Sequence, residues 1–101
     1  MIRHIVFFTV PAENRDAVRA GLSLLTSIPH ARVLEIGENV KTDQWDRQVD
    51  FVVYGEFDDA AALAAYKAHP NYSRSTATVK PLRDQRIAAD FDSATATVTV
   101  V

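Results

Sequence analysis

The sequence predicts a single α+β domain in which helices cover one face of a four-stranded antiparallel sheet. Three observations predict it. Residues 2–10, IRHIVFFTV, carry β-branched and aromatic side chains on both alternating faces, the pattern of a central strand covered on both sides. Residues 13–28 then place Val18, Leu22, Leu25 and Ile28 at helical spacing, which makes one apolar stripe on an amphipathic helix. After that the pattern runs strand, strand, helix, strand, so the order is β-α-β-β-α-β.

Each element follows from its residues. In the first strand Ile2, His4, Val6, Phe8 and Val10 share one face, and Arg3, Ile5, Phe7 and Thr9 share the other, because successive side chains alternate across a sheet. Pro29 stops the first helix, and Gly21 lies on its stripe. Residues 32–41, RVLEIGENVK, mix apolar positions with charges, as a less buried strand does, and a polar loop holding Trp45 fills 42–48. Residues 49–57 alternate again, with Val49, Phe51, Val53, Gly55 and Phe57 on one face and Asp50, Val52, Tyr54 and Glu56 on the other. Asp58 or Asp59 can cap the next helix. That helix runs to about His69, where Pro70 has no N–H to donate and biases the residue before it away from helical geometry. Leu63 and Tyr66, three residues apart, face inward together. A further short helix fits NYSRSTATVK before Pro81, and QRIAADF, residues 85–91, is the last strand. This order is that of the ferredoxin-like arrangement, where the last strand lies antiparallel beside the first. The domain is expected to span 1–92, with 93–101, SATATVTVV, as a β-prone C-terminal extension able to add a strand.

Composition narrows the function classes. A chain of 101 residues with 48% hydrophobic and 24% charged residues supports one core, which buries roughly 65% of its unfolded surface. The net charge of -2 gives no electrostatic attraction to nucleic acid or anionic lipid. No apolar window approaches the roughly 20 residues that span a bilayer, and the N-terminal apolar run, broken by His4, does not read as a targeting signal. There is no cysteine, which excludes disulfides and thiolate chemistry and fits a cytoplasmic location. His4, His30 and His69 are scattered without ligand spacing, and the three glycines are isolated, so neither a metal nor a phosphate loop is expected. No cofactor is expected; a haem would rest on a lone histidine. The open sheet face would carry Ile5, Phe7, Val52, Tyr54, Ile87 and Phe91, a larger apolar patch than a monomer leaves in water. The same face of a second copy would cover it, giving a two-fold homodimer whose sheets close into a barrel.

The stretches RHIVFF, LEIGENV, FDDAAALAAYKAHPNY and VKPLRDQRIAADFD together resemble the stress-responsive dimeric α/β-barrel (Dabb) family, up to about Asp92. The resemblance implies the dimeric barrel. It also implies a pocket between sheet and helices, used in one plant member, olivetolic acid cyclase, for cofactor-free polyketide cyclisation by a tyrosine and a histidine. By position the tyrosine corresponds to Tyr66, while the histidine's place is taken by Tyr72, a phenol with an ordinary pKa of about 10. The supporting histidine of the first strand matches His4, an acidic residue of the last strand matches Asp90, and a second pocket tyrosine falls at Gly21.

The residues themselves point to the same region. His4 and Asp90 can meet across adjacent strands on the helix-covered side, and Tyr66 lies on the helix above them. A carboxylate on one ring nitrogen would fix the tautomer and leave the other nitrogen to exchange protons with a ligand. The alternative is a buried polar pair that pins the strand register. Val6, Phe8, Val53, Gly55 and Ala88 would form the apolar wall. Tyr72 would donate to a ligand oxygen or pack over the loop. Arg86 would meet a ligand carboxylate or remain solvated. His69 reads as a helix cap, and Trp45 as a lid, an interface anchor or a plain surface residue. The expected function is a homodimer with a small pocket in each subunit for an apolar or aromatic carbonyl compound, with cofactor-free lyase, cyclase or isomerase chemistry. The alternative is a non-enzymatic stress-response or assembly protein whose pocket is plugged by side chains.

Overall fold

The computed structural model of the chain describes residues 1–100. Strand β1 (Ile2–Thr9) is followed by a 3-10 turn and helix α1 (Arg15–Ser23), which ends in a second 3-10 turn, Leu24–Ser27. Strands β2 (Val33–Glu38) and β3 (Phe51–Phe57), helices α2 (Ala60–Ala68) and α3 (Pro70–Val79), and strand β4 (Gln85–Asp92) complete it. The sheet order is β2-β3-β1-β4, all antiparallel, so the chain has the ferredoxin-like arrangement with β1 central. His4 is paired in register with Gly55 on one side and Asp90 on the other.

The helical span expected over 13–28 is one α-helix between two 3-10 turns. The hydroxyls of Ser23, Thr26 and Ser27 bond back to the carbonyls of Arg19, Ser23 and Leu24, a local competition that weakens the regular helix ladder. Asp59, not Asp58, caps α2, accepting the Ala62 N–H at 2.8 Å. Asp58 instead pairs with Arg32.

One side of the sheet holds the core. Val6, Phe8, Phe51, Val53 and Phe57 meet Val18, Leu22, Leu63, Tyr66 and Val79 from the helices, all buried. Gly21 is required by the helix layer: a Cβ there would stand 2.9 Å from Val79 Cγ2 and 3.0 Å from Thr78 Cγ2. A side chain at this point, including the tyrosine that the cyclase resemblance would place there, would have to displace Val79 and Thr78 between α1 and α3. At the far edge, Asp50 is buried among apolar strands yet satisfied. Its carboxylate accepts the Val10 N–H and the Lys41 ammonium, both at 2.8 Å.

The other side of the sheet is bare in the single chain. Phe7 is 38% exposed, Ile87 61% and Phe91 43%, so the second covering layer read into β1 is absent from one subunit. Arg3, Tyr54 and Glu56 sit on this face in a polar chain, with Arg3 Nη1 donating to the Tyr54 hydroxyl and that hydroxyl donating to Glu56 at 2.5 Å. In the C-terminal extension, residues 93–96 turn back against the N-terminus through the Ser93 N–H to Met1 carbonyl bond. Residues 97–100 join no strand within the chain, and Val98 and Val100 are exposed. The extension's last residue, 101, lies outside the described residues. No helix among the described residues is long and apolar enough to cross a membrane.

Candidate functional site

The register of β1 with β4 places the side chains of His4 and Asp90 on the helix-covered face, with His4 Nδ1 and Asp90 Oδ1 2.5 Å apart. The His4 side chain is 2% exposed and that of Asp90 40%, so a buried imidazole leans on a carboxylate at the solvent boundary. With Nδ1 committed to the carboxylate, Nε2 is the nitrogen left for other chemistry. The ring is held by edge contacts with Phe57 and Tyr66, each at 6.3 Å between centroids.

Tyr66 comes from α2. It points inward because it follows Leu63 by three residues on the covered face of that helix. It is fully buried, and its hydroxyl has no hydrogen-bond partner among the described residues. A buried hydroxyl without a partner is costly, and Tyr66 is one of the residues that line a cavity. Burial pushes the phenol well above its usual range; Tyr72 adds to the rise and the charge of Arg86 offsets part of it. Tyr66 is therefore a neutral donor at physiological pH.

The cavity has a volume of about 50 Å³, which holds on the order of two waters or the reacting end of a small molecule. His4, Val6, Phe8, Val53 and Tyr66 form its floor and back wall, and Leu22, Leu25 and Val79 its side. Tyr72, Thr76, Lys80, Arg83 and Arg86 ring its mouth. Tyr72, Thr76 and Lys80 also line an outer groove with Lys67 and Pro81.

The expected site residues divide accordingly. His4, Tyr66, Val6, Phe8, Val53, Tyr72 and Arg86 share the cavity, and Asp90 reaches it through His4. Gly55 and Ala88 stand on the same sheet face but outside the wall. At Gly55 the space is taken by the Phe57 ring, which an added Cβ would meet at 2.7 Å. Ala88 lies on β4, whose residues are largely exposed because the helix layer stops short of that edge. His69 caps both helices: its backbone N–H donates to the Tyr66 carbonyl at 3.2 Å at the end of α2, and its Nδ1 accepts the Asn71 N–H at 3.1 Å at the start of α3. Trp45 is 86% exposed on its loop, away from the cavity. Lys80 and Arg83 are cavity residues that the sequence pattern did not reveal. They follow the end of α3 in a stretch without periodicity, and only the return of the chain toward β4 brings them to the mouth.

Comparison with known proteins places this arrangement. The model of the family described as the stress responsive A/B barrel domain (Dabb) matches residues 2–93. A search of curated proteins found no match. Among solved structures, a dimeric ferredoxin-like protein of unknown function from Thermobifida fusca is 26% identical, with a TM-score of 0.74 over 89% of this chain and 88% of that one. A dimeric ferredoxin-like protein of unknown function from Jannaschia is 20% identical, with a TM-score of 0.79 over 90% and 97%. A Dabb family protein with a ferredoxin-like fold from Mesorhizobium loti is 22% identical, with a TM-score of 0.74 over 90% and 94%. Because the family model spans nearly the whole chain and the fold agrees, the chain belongs to the stress-responsive A/B barrel domain (Dabb) family.

Proposed function

We propose that the protein is a homodimer, joined through the open sheet face, whose subunits each bind a small carbonyl compound and move a proton on it without a cofactor. One observation carries the reading: His4, its imidazole held by Asp90, and Tyr66, whose buried hydroxyl has no partner among the described residues, line one cavity. His4 Nε2 takes a proton from the carbon beside the carbonyl, and the resulting imidazolium is stabilised by Asp90. The Tyr66 hydroxyl donates to the enolate oxygen, and the proton returns at another position or the enolate attacks a second carbonyl. Isomerase, lyase and cyclase outcomes share this first step. The resemblance to olivetolic acid cyclase would carry over its tyrosine but not its histidine, whose place is Tyr72, so the base is assigned to His4. The lack of cysteine suits work in the cytoplasm. The dimer accounts for the exposed apolar residues Phe7, Ile87 and Phe91, and the dimeric relatives make it the natural assembly.

A second reading has the small volume of the cavity behind it: with Phe57 packed over Gly55, the chain would serve as a non-enzymatic stress-response or assembly protein. NMR of the His4 ring during titration with small ketones and β-dicarbonyl compounds in D2O separates the two. The enzymatic reading expects shifts at His4 and protein-dependent exchange of the protons beside the carbonyl, lost in His4→Ala. No shift and no exchange with any compound favours the assembly role.

A further inference from the structure

The mouth of the cavity carries a charge that the proton-transfer reading does not use. Lys80, Arg83 and Arg86 converge on it from the end of α3, the following loop and the start of β4. Among the described residues none of them forms a salt bridge, and the Arg83 guanidinium donates only to the neighbouring backbone carbonyl of Asp84. In a chain of net charge -2, three cations around one small opening are a local concentration that no salt bridge among the described residues neutralises. Behind them Tyr66 lines the same cavity, its buried hydroxyl without a partner among the described residues.

Resting on the reading of the cavity as a ligand site, we infer that its ligand is an organic anion: a small β-keto carboxylate, its carboxylate held at the mouth by Arg86 with Arg83 and Lys80, its carbonyl reaching Tyr66. The planar fork of a guanidinium matches a carboxylate in shape and charge. The cavity volume of about 50 Å³ admits the keto end, while the carboxylate stays where solvent and the three cations meet. Aliphatic walls formed by Val6, Leu25 and Val79 contact the carbon chain between. The anion would also screen the mutual repulsion of the three cations.

Acetoacetate and acetylacetone at pH 7 test this as a near-isosteric pair, one with a carboxylate oxygen where the other has a methyl group. Binding is read from the His4 ring shifts in wild type, Arg86→Gln, Arg83→Gln and the surface control Arg47→Gln. The inference expects acetoacetate to bind about tenfold tighter than acetylacetone, consistent with a charge-assisted contact. It expects Arg86→Gln to remove most of that preference while leaving acetylacetone within twofold, Arg47→Gln to change neither, and added salt to weaken acetoacetate alone. Equal binding of the two compounds, or an unchanged preference in Arg86→Gln, overturns the anion assignment and leaves the ligand site standing. Inorganic phosphate displacing acetoacetate at equal concentration overturns the carboxylate assignment. No His4 response to either compound overturns both the inference and the ligand site on which it rests.

Discussion

His4 and Asp90 are opposite one another in the β1–β4 ladder, and the register that makes their backbones neighbours brings Nδ1 and Oδ1 to 2.5 Å. Removing the carboxylate therefore changes the ring without moving the strand. In Asp90→Asn, nitrogen-detected NMR should show the single Nδ1–H tautomer of the wild type giving way to a mixture. Any proton-transfer activity should fall by about ten- to a hundredfold, less than the roughly 10²–10⁴-fold that an acid–base group itself contributes, because Asp90 acts through the ring. An unchanged tautomer would mean that Asp90 does not position the imidazole.

Tyr66→Phe separates folding from ligand binding. The hydroxyl makes no bond within the described residues, so deleting it should leave stability unchanged or raise it by up to about 1 kcal/mol, because a buried group without a partner disappears. Ligand affinity or turnover should fall all the same. A loss of stability on denaturant unfolding would show that the hydroxyl serves the fold.

His69→Ala should cost about 1 kcal/mol, the usual value of an N-cap, since His69 accepts the Asn71 N–H at the start of α3. Its ligand response at His4 should match wild type. A variant of normal stability but without ligand binding would move His69 from the cap into the site.

Asp50 sets an acid limit on stability. Burial raises its pKa, but the Lys41 ammonium and the Val10 N–H, with the charges of Lys41 and Arg15, outweigh that and hold the carboxyl below its usual range. The unfolded chain then binds the proton more readily than the folded one. The contribution is complete above about pH 4, the ordinary aspartate value, and is lost as the pH falls through the lower folded pKa. Asp50→Asn should flatten this part of the acid-unfolding profile. An unchanged slope below pH 4 would place the acid sensitivity elsewhere.

Light scattering should find twice the chain mass at micromolar concentration, and Phe7→Glu should give monomers by placing a charge in the middle of the open face. Deleting residues 94–101 should weaken the dimer if the extension pairs across subunits. An unchanged mass for Phe7→Glu would put the interface on another surface.

The sheet was legible because β1 is rich in β-branched and aromatic residues on both faces and successive side chains point to opposite faces, and the faces read that way hold His4, Val6, Phe8 and Val53 together on one wall. The helix carrying Tyr66 was legible from Leu63 three residues before it and from Pro70 at its end. What could not be read was depth. Gly55 and Ala88 have the right face, but the fit of the Phe57 ring and the reach of the helix layer are tertiary facts that no local pattern records. Lys80 and Arg83 escaped notice for a related reason: a cation after a helix is ordinarily a solvated end, and only the path of the loop makes these two part of a mouth.

Gly21 has a wider consequence. It does not line the cavity, yet the atom nearest to its missing side chain belongs to Val79, which does. Any residue with a Cβ at this point must displace that wall. The capacity of the chamber is thus governed from outside it, at the crossing of α1 and α3, where a change of one methyl group would retune which molecules are admitted while every group that could touch them stays the same.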